Sequence, residues 1–283
     1  MFYKCSITLL IGLIFLANCA NTPLVAIVSQ TGNSDSAEAS NQPLTPVQVP
    51  TDPQTAGKSQ TEPAKYVYLT FDDGPNSYYT GIILDILKKY GVKASFCVIG
   101  NNIEKNPEVL KRIVNEGHGV VNHTYCHDYD KIYASPKAYL GDLQKCNQAI
   151  VSLTGKNVRV YRAPGGDPKL NKETYNLLSR EGYTSLGWNV TSADTDPNGA
   201  TPEQIYGNVA NGVVKMEKMN KAPIILMHDG TEINRSLSSP GTATLNYIKN
   251  RESDVAALPK IIEFLQAKGY SFAVVDEKTP PAW

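Results

Sequence analysis

The sequence predicts an α/β fold, a distorted and incomplete (β/α) barrel with about seven parallel strands. Three observations carry that prediction. From Tyr66 onward, short apolar runs of strand character alternate with segments of helical period. Helix start and stop residues stand at the edges of those periodic segments. Polar side chains able to do chemistry follow the ends of several strands, where barrels and open parallel sheets place their sites. An open doubly wound sheet is the alternative packing of the same alternation.

In chain order the strand candidates are Val67–Thr70, Ala94–Ile99, Gly119–Asn122, Val158–Tyr161, Tyr183–Trp188, Pro223–Met227 and Ser271–Val275. The first helix lies in SYYTGIILDILKKYG. There Ile83, Leu84, Leu87 and Tyr90 keep helical spacing, and Gly91 stands where a C-terminal cap belongs. PEVLKRIVNEG opens with Pro107 at a first helical position and closes with Gly117. Further helices are predicted at Pro136–Leu153, Asn171–Glu181, Thr201–Lys218 and Asp254–Lys268. Strands alternating with helices make βαβ units, hence a mainly parallel sheet.

Ahead of this region the chain differs in kind. Lys4 precedes the apolar run Ile7–Ala17, followed by Asn18 and Cys19. A positive residue, a short apolar run and small residues make a secretory signal. Roughly eleven apolar residues fall short of the about 20 that a membrane span needs. Leu16-Ala17-Asn18-Cys19 also resembles a bacterial lipobox, whose cysteine becomes the lipidated first residue; Asn18 departs from the usual Gly, Ala or Ser. Lipid anchoring at Cys19, simple cleavage and an uncleaved anchor all remain open. From Asn21 to Ala64, Ser, Thr, Pro, Gln and Asn dominate, as in a flexible tether. The predicted organisation is a signal peptide over 1–19, a tether over 20–64, a folded domain over 65–276 and a tail over 277–283. Such a protein is exported to the cell surface or beyond.

The 27 basic and 27 acidic side chains cancel. That leaves no electrostatic footprint for nucleic acid or an anionic membrane surface, so a lipid anchor is the only membrane contact expected. A hydrophobic share of 41% supports one sizeable core. Of the five cysteines, Cys97, Cys126 and Cys146 fall in the folded part. An odd set cannot all pair, and free thiols are expected.

Five strand ends carry the polar residues. Asp72 and Asp73 follow YVYLT, His123 and His127 follow the third strand, and Arg162 follows VRVY. Asp194 comes soon after YTSLGWNV, and His228 closes the sixth strand. His123 and His127 are four apart, which in a helical turn puts both imidazoles on one face. Two imidazoles plus a carboxylate make a three-ligand metal set with a position open for water, as catalytic zinc requires. Asp72 and Asp73, being neighbours, should diverge, so one can ligate while the other acts as a base. Taken alone, FDDGPN reads more readily as an Asp-Gly turn. Cys126 lies off the face of the two histidines and reads as packing, and His118 reads as a satisfied histidine at a strand start.

Thr70-Phe71-Asp72-Asp73-Gly74-Pro75, His123-Thr124-Tyr125-Cys126-His127, Arg162-Ala163-Pro164-Gly165-Gly166 and Leu226-Met227-His228 occur in that order. They resemble the TFDDGP, H[ST]xxH, RxPxG and LxH motifs of the polysaccharide deacetylases, the NodB-like carbohydrate esterase family 4. A fifth motif, DxxDW, is matched only by Thr191-Ser192-Ala193-Asp194-Thr195. The resemblance spans about Tyr66 to Asp276.

The resemblance implies that Asp73, His123 and His127 ligate a divalent metal, zinc first, with cobalt, nickel or manganese as alternatives. It implies Asp72 as the general base toward water, held by Arg162, and His228 as the general acid, paired with Asp194. Leu226 would line the pocket for the acetyl methyl, and a backbone N–H near Gly165 would help hold the oxyanion. Tyr125, with Tyr129 and Tyr133, is a candidate to stack on sugar rings. The implied reaction removes N-acetyl groups from a GlcNAc-containing polysaccharide. Peptidoglycan comes first; chitooligosaccharide, poly-N-acetylglucosamine and O-acetyl xylan are alternatives. A monomer whose partner is the acetylated amino-sugar polymer is expected. A non-catalytic carbohydrate-binding module is the competing reading, but binding alone needs neither base nor acid. Thr191, Thr195 and Gly165 depart from the family pattern and remove bulk from the groove walls. Thr231–Arg251 exceeds the family's compact connection and reads as an extra loop at the rim, either shaping the site or neutral.

Overall fold

The structure, a computed structural model, describes residues 65–230 and 242–282. The expected signal peptide, the tether, residues 231–241 of the rim loop and Trp283 lie outside the described residues.

The elements alternate as β1 (Lys65–Gly74), α1 (Tyr79–Tyr90), β2 (Ser95–Val98), α2 (Gly100–Lys105), α3 (Pro107–Asn115), β3 (Gly119–Asn122), α4 (Tyr129–Ile132) and α5 (Pro136–Thr154). They continue as β4 (Val160–Tyr161), α6 (Lys172–Arg180), β5 (Thr184–Ser185), β6 (Val190–Thr191), α7 (Pro202–Lys218), β7 (Ile224–His228), α8 (Thr242–Ala267) and β8 (Tyr270–Phe272). The sheet runs β5-β4-β3-β2-β1-β7-β6, and β8 pairs with the first residues of β1. All these pairings are parallel. This is the curled, incomplete barrel. Its two ends, β5 and β6, are joined in sequence by residues 186–189 alone.

Local chemistry explains the helices. α1 buries Ile83, Leu84 and Leu87 and stops at Gly91, whose φ of 65° closes the cap. α5 starts on Ser135, whose side chain accepts the Ala138 N–H, and ends at Gly155. α7 opens with a Thr201–Gln204 capping box. Their apolar faces meet the strands in one core, with Phe71 stacked on Phe96 at 5.4 Å. Cys97, Cys126 and Cys146 are free, and His118 is buried with Nδ1 accepting from the Ala94 N–H at 3.2 Å. Burial pushes the His118 pKa down to about 4, so it sits neutral in the core. Among the described residues no helix is long and apolar enough to cross a membrane.

One expectation is corrected. α8 begins at Thr242, not near Asp254, so the second half of the expected rim loop is helix. Its first turns bury Asn250, Arg251 and Asp254 instead of aliphatic side chains. Helical period in hydrophobicity is therefore absent there, although the helix packs.

β1 and β7 are clamped beyond their last pair. The Asp229 and Gly230 N–H groups both donate to the Asp72 carbonyl, at 3.0 and 3.2 Å. A Cβ on Gly230 would overlap the Asp73 carbonyl. Gly230→Ala is expected to force the two backbones apart and destabilise the protein by about 1–3 kcal/mol, measured by urea unfolding.

Candidate active site

β1 ends in a bulge. Its register with β2 shifts between Asp72 and Gly74, and Asp73 adopts a φ of 77°. In a regular strand neighbouring side chains point to opposite faces. The bulge lifts that constraint. Asp73 Oδ1 lies 3.3 Å, and Asp72 Oδ2 3.8 Å, from the same atom, His123 Nε2. The two carboxylates therefore do not diverge as the sequence reading expected.

The two histidines do not share a helical turn either. Residues 123–128 are irregular, α4 starts only at Tyr129, and Thr124 and His127 have positive φ of 69° and 53°. Side chains hold this loop. Asn122 Oδ1 accepts the Thr124 N–H, Thr124 Oγ1 accepts the His127 N–H, and Asp142 Oδ1 accepts the Tyr125 and Cys126 N–H groups. The imidazole centroids still end 5.0 Å apart.

His123 donates its Nδ1–H to the Arg162 carbonyl at 2.9 Å, which leaves the Nε2 lone pair free. His127 Nε2 lies 3.4 Å from Asp73 Oδ1. That oxygen is buried and, among the described residues, has no hydrogen-bond donor. The three candidate ligand atoms of Asp73, His123 and His127 lie within 4.8 Å of one another. An orphaned carboxylate oxygen facing two imidazole nitrogens fits a divalent metal. Burial and the neighbouring His123 push the His127 pKa down, keeping it neutral as ligation requires. Burial works to raise the Asp73 pKa, but the imidazoles that face it, His123 first, hold the carboxyl well below its usual range.

Arg162 crosses the barrel interior from the end of β4. It is fully buried, and Nη1 donates to Asp72 Oδ1 at 2.7 Å and Thr70 Oγ1 at 2.8 Å. Nε and Nη2 donate to the carbonyls of Leu186 and Gly187 at 3.3 and 3.2 Å, in the segment that links the ends of the sheet. Burial works to raise the Asp72 pKa; the Arg162 guanidinium first, with His228, outweighs it and keeps the carboxyl ionised. Oδ1 is engaged by Arg162, while Oδ2 faces the histidines.

Across the site, His228 is fixed by Asp194. Nδ1 donates to Asp194 Oδ1 at 2.9 Å, and the His228 backbone N–H donates to Oδ2 at 2.7 Å. Burial disfavours the imidazolium, but the charge and hydrogen bond of Asp194 dominate, aided by Asp73 and Asp72, and the pKa rises to about 9. Its proton is thus retained at neutral pH. The stability linked to it is fully present below the unfolded value of about 6.5 and fades as pH rises through about 9. In the metal-free protein, NMR titration of His228 is expected to show a midpoint near pH 9, falling when a cation binds beside Asp72 and Asp73.

Of the remaining expectations, Tyr125 is corrected. It is buried in the core cluster, its ring lies under the Lys145 ammonium at 3.6 Å, and it packs so close to Gly100 that a Cβ there would overlap it. No face is left for a sugar. Tyr129 is instead the aromatic at the rim, 42% exposed and edge-on to His127 at 5.6 Å. Gly165, at a φ of 75°, sits beside it: a Cβ there would come 3.0 Å from the Tyr129 hydroxyl. Leu226 is buried in β7, two residues before His228. The sequence reading missed three side chains that α8 and the end of β7 bring in. The Tyr247 hydroxyl donates to Asp73 Oδ2 at 3.4 Å, and Arg251 Nη2 reaches Asp194 Oδ2 at 3.1 Å. Asp229, buried and bonded to the Thr80 hydroxyl, has its pKa raised to about 7, mainly by burial.

The sequence model described as polysaccharide deacetylase matches residues 59–186. A peptidoglycan-N-acetylglucosamine deacetylase of Bacillus cereus is 31% identical over 76% of this chain and 71% of its own length. A chitooligosaccharide deacetylase of Rhizobium leguminosarum bv. trifolii is 30% identical, over 72% of this chain and 87% of the relative. The crystal structure of the catalytic domain of a peptidoglycan N-acetylglucosamine deacetylase from Eubacterium rectale is 30% identical, with a TM-score of 0.61 over 78% of this chain and 93% of that one. The fold, the strand-end site and these similarities agree, and the chain belongs to the polysaccharide deacetylase family, metal-dependent hydrolases of acetylated amino-sugar polymers.

Proposed function

We propose that this protein removes N-acetyl groups from GlcNAc units of a glycan, with peptidoglycan as its first substrate. The observation that carries the reading is the convergence of Asp72 and the Asp73–His123–His127 set on one centre, with His228 across it. Asp73, His123 and His127 would hold the metal, and two imidazoles with one carboxylate suit zinc. A divalent cation bound there polarises the acetyl carbonyl and acidifies water.

The chain's own residues do the rest. Asp72, held through Oδ1 by Arg162, accepts the proton of the attacking water at Oδ2. His228, held at Nδ1, gives its Nε2 proton to the leaving nitrogen as the C–N bond breaks. Leu226 lines the space for the acetyl methyl, and the N–H near Gly165 supports the oxyanion. A pure binding module would not need this ionised base and protonated acid. Export by the N-terminal segment, with lipid at Cys19, would put a monomeric enzyme next to wall glycan. Peptidoglycan relatives support that choice; chitooligosaccharide, poly-N-acetylglucosamine and O-acetyl xylan remain in the substrate panel.

The purified protein is expected to release acetate from peptidoglycan or tetra-N-acetylchitotetraose. Dipicolinate should cut the rate about 10²-fold or more, and added zinc should restore it. Release that resists the chelator overturns the metal assignment, and no release from any of the four polymers overturns the function. Lipid labelling that survives Cys19→Ala removes the anchor.

A further inference from the structure

We infer that Arg251, reaching in from α8, is a positioning residue for the acid half of the site: it fixes Asp194, and through Asp194 the imidazole of His228. The inference rests on the reading of His228 as the general acid.

Asp194 needs such a support. It lies outside the strands, in an irregular stretch after β6 where Ala193 has a φ of 58°. A loop residue positions a partner only as well as it is itself held. Arg251 holds it at two points: Nη2 donates to the Asp194 backbone carbonyl at 2.7 Å and lies 3.1 Å from Oδ2. The same nitrogen lies 3.1 Å from Asp254 Oδ2, one helical turn on. Asp194 Oδ2 also receives the His228 backbone N–H, while Oδ1 takes Nδ1. With both oxygens and the carbonyl engaged, the carboxylate plane is set, and with it the direction of His228 Nε2.

The energetics point away from a purely structural role. Arg251, Asp194 and Asp254 are all essentially excluded from water. Buried ion clusters seldom stabilise more than apolar side chains of equal volume would. Among the described residues Arg251 Nε and Nη1 have no hydrogen-bond partner, so the guanidinium is not placed for its own satisfaction. The charged and titratable groups around the cluster include His228, Asp194, Asp254, Asp229, Tyr247, Asp73 and Asp72. Burial, then Asp194, push the Asp254 pKa well up, which leaves Asp194 as the anion between Arg251 and His228.

The chemistry supplies a selective test. When the amide C–N bond breaks, its electron pair goes to nitrogen, which must take the Nε2 proton. The 4-nitrophenolate released from 4-nitrophenyl acetate is stable without one. In the zinc-loaded full-length protein, Arg251→Met is expected to lower kcat on tetra-N-acetylchitotetraose about 10–100-fold, within the range of acid catalysis. KM and zinc content should stay within about twofold, and the rate on 4-nitrophenyl acetate within about threefold. Arg251→Lys, which keeps the charge but not the fork, should show the same split with a smaller loss. It carries the test if Arg251→Met does not fold. Equal losses on both substrates would show a structural role and overturn the proposal, as would full activity on both. His228→Gln is the reference and should show the same split more strongly. If it loses the ester as fully as the amide, the acid reading itself fails, and this proposal with it.

Discussion

Asp72→Asn is expected to lower kcat for acetate release by about 10³-fold or more while leaving metal content unchanged. The side chain is buried, with Oδ1 2.7 Å from Arg162 Nη1 and Oδ2 turned to the ligand set. Asparagine keeps an acceptor for Arg162, so the fold survives. It puts an NH2 group where a proton acceptor is required, and no neighbour can substitute: Asp73 Oδ1 faces His123 and His127, and Asp229 is bonded to Thr80. Steady-state acetate release with metal analysis checks it. A kcat within tenfold of the parent would remove Asp72 from the role of base.

Arg162→Met should have the largest effect on stability, about 3–5 kcal/mol, because it leaves the Asp72 carboxylate buried without its cation. The Leu186 and Gly187 carbonyls lose their donor as well, so the segment between β5 and β6 loosens. The pH dependence follows in sign. In the parent, the depressed Asp72 pKa contributes stability above the unfolded value of about 3.9, lost as pH falls through the folded pKa. Without Arg162, desolvation dominates and that pKa moves up. Acid unfolding should therefore begin at higher pH in the variant. Urea titrations at neutral and acidic pH measure both effects; an unchanged acid midpoint would contradict the pairing.

The parts of the molecule legible in the sequence are those governed by short-range rules. Apolar runs and capping residues such as Gly91 and Gly117 located most strands and helices to within a few residues. Strand-end placement picked out Asp72, Asp73, His123, His127, Arg162, Asp194 and His228. What stayed hidden depends on departures from regular backbone. The bulge at Asp73 and the left-handed residues Thr124 and His127 carry no hydrophobic period. They decide how both aspartates and both histidines meet. The first turns of α8 were unreadable for a related reason, since Asn250 and Arg251 fill positions where aliphatic residues would have marked a helix. Tyr125 was misplaced because sequence adjacency to ligands says nothing about which way a ring turns.

The place of β1 in the sheet sets the order in which the protein can come together. β1 is the first strand among the described residues, yet it pairs with β7 through Tyr68 and Ile224 and with β8 through Lys65 and Tyr270. Closing loops that long is entropically costly and slow, and these contacts have no local substitute. All three candidate ligands have been synthesised by His127, but the strand that carries Asp73 is sealed on its β7 side only when the C-terminal quarter of the chain arrives. The donor set and the β1–β2–β3 pairings that bring it together are made early, and only the far edge of β1 is covered last.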